Sequence, residues 1–353
     1  MTFANIENGK RKAAVLVAGS WGTALAMVLS ENGFEVTLWT RTEAQAAEVN
    51  GKHRNDKYLP DCPLPESMTA TTSMEQALAG AEVVLFTAPS SAMRDVARQA
   101  APFLSPNALV IHATKGFEAE TLKRMITVLS EELGRPEDSL CVLSGPSHAE
   151  EVAKQQPTTV VVASADQNRA EQAQDSFINS YFRVYTNPDV VGVEVGGAIK
   201  NIIAIGAGMT DGLGFGDNAK AALLTRGLAE ISRLGTAMGA NPLTFAGLAG
   251  VGDLVVTCNS KHSRNWRAGH KLAQGIPLAE VLEQMGMVVE GVKTTKAARY
   301  LSQKYDVEMP IADQLYSVLF EGVEPTTAVN RLMGRGRTHE SEQVARDWGL
   351  HQS

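Results

Sequence analysis

Short, unbroken apolar runs punctuate the first half of the chain, and they alternate with stretches whose apolar residues recur at helical spacing. Residues 13–17 (AAVLV), 35–40 (EVTLWT), 82–87 (EVVLFT), 108–113 (ALVIHA), 139–143 (SLCVL) and 157–163 (PTTVVVA) predict strands. Residues 23–31, 73–81, 91–101 and 121–133 predict helices between them. Runs rich in Val, Ile and Leu without strict alternation fit strands buried on both faces. Strands alternating with helices predict a doubly wound parallel sheet, with the run at 157–163 closing the series.

The pattern changes near Asn187-Pro188. Beyond it, segments at 190–209, 217–238, 278–285 and 293–304 predict helices, and strand signals are few. Gly and Ala within 190–209 are spaced so that another backbone could approach closely. The expected division is an α/β domain over residues 1–190 and an all-α domain over 191–353. The tail after Thr338 is polar and is expected to fray.

The 353 residues suit two domains, and 44% hydrophobic with 20% charged residues is ordinary globular composition. A net charge of -7 and a pI near 5.6 argue against a nucleic-acid partner. They leave room for an anionic small substrate, since a site needs only a few local cations. Cys62, Cys141 and Cys258 are far apart and odd in number, which predicts free thiols in a reducing cytoplasm. No HExxH or CxxC spacing occurs, so no metal is expected. Residues 1–12 are polar, without the apolar core of a signal segment, and no run of about 20 uncharged apolar residues appears, so no integral membrane association is expected.

Directly after the first predicted strand comes Val17-Ala18-Gly19-Ser20-Trp21-Gly22, and then a helix. A dinucleotide fingerprint belongs in this strand–turn–helix setting, where free N–H groups of a helix start face a pyrophosphate. The usual GxGxxG reads VxGxxG here. Gly19 stands where the backbone must approach the pyrophosphate closely, and Gly22 where helix packs on strand. Val17 replaces the glycine of the tight turn, and its β-branched bulk is expected to weaken cofactor binding. Read without the cofactor, the segment is an ordinary strand-to-helix turn. After the second strand no acid appears before Glu43, whereas Arg41 could pair with a 2′-phosphate. That leans toward NADP(H), with NAD(H) as second candidate; otherwise Arg41 is a solvated surface arginine.

Several segments resemble the bacterial NAD(P)-dependent glycerol-3-phosphate dehydrogenases. They are GSWGTALA (19–26), TKG (114–116), LSGPSHA (143–149), VEVGGAIKNIIAI (193–205), GVGDLVVTC (250–258) and HSRNWRAG (262–269). They fall in both halves, in the family's order, and cover nearly the whole chain; Val17 is the conspicuous departure. The resemblance implies a Rossmann-like N-terminal domain, a helical substrate domain and a phosphate-bearing small-molecule substrate. It also implies reversible NAD(P)H-dependent reduction of dihydroxyacetone phosphate to sn-glycerol 3-phosphate, which feeds glycerophospholipid synthesis. A homodimer is the assembly considered.

Lys200, in an otherwise apolar helix, is the acid candidate, because burial lowers a lysine pKa toward neutrality; by resemblance it is the family's catalytic lysine. From pattern alone it could equally be a lysine snorkelling at a helix edge. Lys115 follows a strand at the sheet's carboxyl edge and is expected to hold substrate and neutralise developing charge. Asp253, in a Gly-rich turn, would bind a substrate hydroxyl or orient Lys200; it could also be a turn aspartate. By resemblance Gly145, Ser147, Asn201 and Thr257 line the substrate site, and Ser263, Arg264 and Asn265 receive the phosphate. Gly19, Ser20, Trp21, Gly22, Arg41, Lys115, Ala149, Arg264, Val288 and Glu290 would contact the cofactor. His112 and His148 rank lower as acid–base groups. Two other readings stay open at this point: a related 3-hydroxy acid dehydrogenase, and a nucleotide-binding protein impaired in turnover by Val17.

Overall fold

The computed structural model describes residues 11–336; the polar tail after Thr338 lies outside them. Eight strands form one sheet: β1 (Lys12–Leu16), β2 (Glu35–Trp39), β3 (Thr69–Thr71), β4 (Val83–Phe86), β5 (Leu109–His112), β6 (Leu140–Ser144), β7 (Thr158–Ala163) and β8 (Phe182–Asn187). Their spatial order is β3-β2-β1-β4-β5-β6-β7-β8. The first six strands run parallel, with the direction of winding reversing between β1 and β4. Loops after those two strands therefore diverge, which opens the crevice where doubly wound folds bind ligands.

Helices α1 (Ser20–Glu31), α2 (Glu43–Lys52), α3 (Met74–Leu78), α4 (Met93–Ala100), α5 (Met125–Leu133), α6 (Ala149–Val152) and α7 (Gln167–Phe177) accompany the strands. Two apolar clusters lie on opposite faces of the sheet. One contains Val15, Leu38 and Leu85; the other contains Leu16, Val84 and Phe86. This sandwiching explains the unbroken apolar strands.

Two expectations need correction. The sheet is not wholly parallel, since β7 runs antiparallel to β6 and β8 then runs parallel to β7. Between β6 and β7 the chain makes only the one-turn α6, too short to carry it back along the sheet, so it re-enters from the same edge. Nor does residue 163 close the series, because β8 follows, its buried Phe182 and Val184 alternating with exposed Arg183 and Tyr185. Alternation of that kind marks an edge strand rather than a buried run.

After β8 the described chain is helical: α8 (Val190–Gly212), α9 (Asp217–Ala237), α10 (Asp253–Asn259), α11 (Arg264–Ala273), α12 (Leu278–Met285), α13 (Glu290–Lys304), α14 (Pro310–Phe320) and α15 (Pro325–Met333). α8 is long and apolar enough to cross a membrane, but 89% of its most apolar window is buried inside the protein. It is the central core helix of this half. α11 crosses it so closely that a Cβ at Gly208 would overlap the Trp266 carbonyl and one at Gly269 the Ile205 carbonyl. The spacing of small residues in α8 serves this crossing.

The halves are joined through a buried carboxylate. Glu194 of α8 accepts from Arg124 Nη1 (2.7 Å) and from the Ile126 N–H at the start of α5 (3.0 Å), and lies 3.2 Å from His112 Nε2. Burial pushes its pKa up, but His112, Arg124 and the Ile126 N–H outweigh that and hold it below the usual carboxylate range. His112, at the carboxyl end of β5, is thus turned to Glu194 at the seam. Glu194→Ala, which removes one of Arg124's two carboxylate partners, leaves it Glu137 (2.8 Å) and frees the buried Ile126 N–H, is expected to lower unfolding stability at pH 7 by about 1–3 kcal/mol in urea denaturation. A depressed carboxylate contributes fully above its unfolded pKa and loses its contribution as pH falls through the folded value. The gap between parent and variant should therefore narrow in acid.

Candidate active site

β1 ends at Leu16, and the chain turns through Val17 and Ala18 into α1. Val17 sits at φ 82°, the left-handed region that a β-branched residue rarely adopts. The turn keeps a glycine's shape although a valine occupies it. Its N–H donates to Trp39 O (3.1 Å), and its carbonyl accepts from Thr87 Oγ1 (2.8 Å) and the Gly19 N–H (2.9 Å). At Gly22 an added Cβ would overlap Thr87 Oγ1 and lie 2.5 Å from Val17 O, so glycine there lets helix pack on strand. At Gly19 an added Cβ would meet nothing within 4 Å. The backbone therefore presents an open face beside the start of α1, where Ser20, Trp21 and Gly22 carry N–H groups without helical partners. That arrangement fits a pyrophosphate. Arg41 follows β2, is exposed, and makes no hydrogen bond or ion pair among the described residues.

At the carboxyl edge of β5 and β6, two lysines meet one carboxylate. Lys115 Nζ donates to Asp253 Oδ2 (2.8 Å), Ser147 Oγ (3.0 Å) and Gly145 O (3.0 Å). Lys200 Nζ donates to Asp253 Oδ1 and Thr257 Oγ1, both at 2.5 Å. An ammonium has three donors. All three of Lys115 are placed, whereas Lys200 has one to spare. Asp253 and Thr257 lie one turn apart on α10, which aims both at Lys200. Gly197 permits the approach of α8, since a Cβ there would come within 2.7 Å of Ser144 Oγ and 3.6 Å of Lys115 Cγ.

Lys200 is buried, and its pKa falls to about 8. Desolvation is the main cause; Asp253 opposes it and Lys115 reinforces it. Near neutral pH such a lysine can both hold and release a proton.

A third group completes the crevice. Ser263 caps α11 by accepting from the Trp266 N–H (3.2 Å). The SRN segment is therefore a helix start rather than a loop. Asn265 bridges three helices: its Nδ2 donates to Asn201 Oδ1 (2.8 Å), and its Oδ1 accepts from the Gly291 N–H (2.9 Å). Arg264 donates to Val288 O (3.0 Å) and makes no ion pair among the described residues, and burial lowers its pKa. Glu290 accepts from Ser90 Oγ (2.9 Å) and the Ser90 N–H (3.3 Å), closing the crevice between α13 and the segment after β4.

Ala149 is buried at the start of α6, behind His148. His148 Nε2 lies 3.5 Å from Val256 O, and burial, then Lys200, lowers its pKa. The sequence-predicted residues thus fall into the phosphate loop with Arg41, the lysine–aspartate centre, and the SRN–Glu290 wall. Sequence reasoning missed Ser90, together with Asn55 and Gln45, which lie behind the phosphate loop. Thr42-Glu43-Ala44-Gln45 has the spacing of a capping box and could have revealed α2. Thr42 does cap it, its hydroxyl accepting from the Gln45 N–H (3.4 Å).

Two family models match the chain: the NAD-dependent glycerol-3-phosphate dehydrogenase N-terminus over residues 12–170, and the C-terminus of the same family over residues 189–330. The chain is 56% identical over 337 residues to glycerol-3-phosphate dehydrogenase [NAD(P)+] of Bacillus subtilis, covering 95% of this chain and 97% of that one. To the enzyme of that name from Pelotomaculum thermopropionicum it is 58% identical over 335 residues, 95% and 96% of the two chains. The crystal structure of glycerol-3-phosphate dehydrogenase from Coxiella burnetii superposes with a TM-score of 0.88 at 39% identity, over 92% of this chain and 99% of that one.

The two loop glycines should respond differently to substitution. Gly19→Ala has room in the fold and is expected to keep the parent's melting temperature while weakening NADPH binding at least tenfold in a fluorescence titration. Gly22→Ala should lower both affinity and melting temperature, because α1 must move off the sheet.

Proposed function

Because the chain belongs to the NAD-dependent glycerol-3-phosphate dehydrogenase family over nearly its whole length, we propose that its two lysines divide the work of reducing a ketone. The reaction is the reversible NAD(P)H-dependent reduction of dihydroxyacetone phosphate to sn-glycerol 3-phosphate. Reduced nicotinamide, when bound, supplies the hydride. The chain's own residues hold the substrate, stabilise the charge that grows on oxygen and provide the proton.

Lys200 is the general acid. The observation that carries this reading is its spare N–H beside a carboxylate that is already shared. Lys200 Nζ gives a proton to the substrate oxygen as that oxygen becomes an alkoxide, and takes it back in the oxidative direction. Lys115, with its three N–H groups fixed, is a stationary positive charge that orients the carbonyl and offsets developing negative charge. Asp253 and Thr257 keep the Lys200 ammonium in place. Ser147 and Gly145 fix Lys115 on the sheet side of the substrate. Arg264, with Asn265, Asn201 and Ser263, receives the phosphate; a guanidinium free of any carboxylate hydrogen bond supports that role. A 3-hydroxy acid could also place its carboxylate on Arg264, and it is the likeness to glycerol-3-phosphate dehydrogenases that favours the phosphorylated substrate.

The dinucleotide lies along the phosphate loop, with its pyrophosphate on the start of α1, near Ala149, Val288 and Glu290. Unpaired Arg41 favours NADP(H) over NAD(H). The domains divide near residue 190, where β8 gives way to α8. The product supplies glycerophospholipid synthesis, and three buried free thiols suit a reducing cytoplasm.

Lys200→Ala is expected to lower kcat for NADPH-dependent reduction of dihydroxyacetone phosphate by about 10²–10⁴-fold. In the parent, reduction should fall as pH rises through about 8, where the protonated lysine is depleted. Asp253 raises the Lys200 pKa, so Asp253→Asn should move that fall to lower pH in whatever activity it retains. An unchanged pH profile in Asp253→Asn would assign the titration to another group.

A further inference from the structure

The strained turn at Val17 does not stand alone, and what lies behind it has no place in the chemistry so far. Asn55 is fully buried in the segment after α2. Its Nδ2 donates to Ala18 O (3.1 Å) and to Thr23 Oγ1 (2.8 Å), and its Oδ1 accepts from Gln45 Nε2 (3.0 Å). Gln45 Nε2 also donates to Ala18 O (2.7 Å), and Gln45 Oε1 accepts from Thr40 Oγ1. Next to them, Ser20 Oγ donates to Tyr58 O (2.6 Å). In a capping box, Gln45 would turn back to the start of its own helix. Here that side chain is diverted to the carbonyl between the strained residue and the open glycine.

We propose that Asn55, with Gln45, is a positioning residue for the cofactor: it fixes the Ala18–Gly19 peptide and so keeps the Val17 turn in the shape that a glycine would adopt unaided. A left-handed non-glycine residue persists only where its surroundings over-determine it. Val17 is fixed on the strand side by donating its N–H to Trp39 O and accepting from Thr87 Oγ1. On the far side the next carbonyl has two side-chain amide donors, both on elements outside the β1–α1 unit. Without them the turn relaxes toward negative φ, and the N–H groups of Ser20, Trp21 and Gly22 lose their common aim. Asn55 touches neither substrate nor the lysine centre, so its effect should fall on the cofactor alone. This rests on the reading that the pyrophosphate lies on the start of α1.

The test is NADPH binding to the purified full chain without substrate, followed by nicotinamide fluorescence. It is run on the parent, Asn55→Asp, Val17→Gly and the double variant, with the KM for dihydroxyacetone phosphate as a second readout. Asn55→Asp keeps size and shape but cannot donate to Ala18 O. It should raise the NADPH Kd about tenfold, which is about 1.4 kcal/mol, with the KM for dihydroxyacetone phosphate within twofold. Val17→Gly should bind at least as tightly as the parent. In the Val17→Gly background the Asn55→Asp penalty should shrink below threefold, a rescue that mere loss of folding stability would not produce. Gln45→Leu, at a less buried site, repeats the comparison if Asn55→Asp does not fold. Equal penalties in both backgrounds, or an unchanged Kd in a folded Asn55 or Gln45 variant, would overturn the proposal. A parent that fails to bind NADPH would remove the placement of the cofactor, and the proposal with it.

Discussion

One carboxylate serves two ammonium groups, and the site is built around that imbalance. Asp253 is almost wholly buried, with Lys115 on one oxygen and Lys200 on the other. With both lysines protonated, the trio carries a net positive charge in a place with little water. Such a charge is costly unless neutralised or matched by an incoming anion. Neutralisation is what the lowered Lys200 pKa expresses; an incoming anion is what an alkoxide-like transition state on a phosphorylated substrate provides. Burial first, and the second ammonium of Lys115 after it, make Lys200 willing to lose its proton, with Asp253 opposing both.

The trio also draws on both halves of the molecule. Lys115 comes from the edge of the sheet, Lys200 from the core helix and Asp253 from the short helix beside it. Each is placed by packing rather than by its immediate sequence, with small residues in α8 letting α11 and the sheet edge close in. Glu194, one helical turn and a half before Lys200, ties the same helix to Arg124 and the start of α5. The helix that carries Lys200 is thus anchored at one side by a paired carboxylate and at the other by the shared one.

Much of this was legible in the sequence. The buried strands showed as unbroken apolar runs, and α9 and α12 showed by their spacing. Lys200 and Asp253 stood out as charged residues in an apolar helix and a glycine-rich turn, Lys115 by its place after a strand, and Arg264 only through the resemblance of its segment to the family. What escaped was set by tertiary context. β3 has only three residues and β8 alternates as an edge does, so neither resembles the buried strands that the pattern rewards. α11 was not among the predicted helices, because Arg264, Arg267, His270 and Lys271 obscure a helix whose buried stripe is Asn265, Ala268, Gly269 and Leu272. Asn55 could not be singled out, since a lone asparagine after a helix reads as a turn; only the fold brings it to Ala18. At Val17 the sequence flagged a missing glycine, but not that the turn would keep the glycine-like conformation regardless.

The reversal of the last two strands has a geometric sequel. Because β7 turns back and β8 follows it, the chain leaves the sheet at Asn187, level with Val142 of β6 and with His112 at the end of β5. α8 starts just after that point, and Lys200 lies ten residues along it from Val190, about 15 Å at 1.5 Å per residue. The helix acts as a ruler laid from the last strand to the shared carboxylate. An insertion or deletion of one residue before Lys200 would turn it by about 100° and shift it by about 1.5 Å. Length variation can be absorbed in surface connections, but not between the last strand and this lysine.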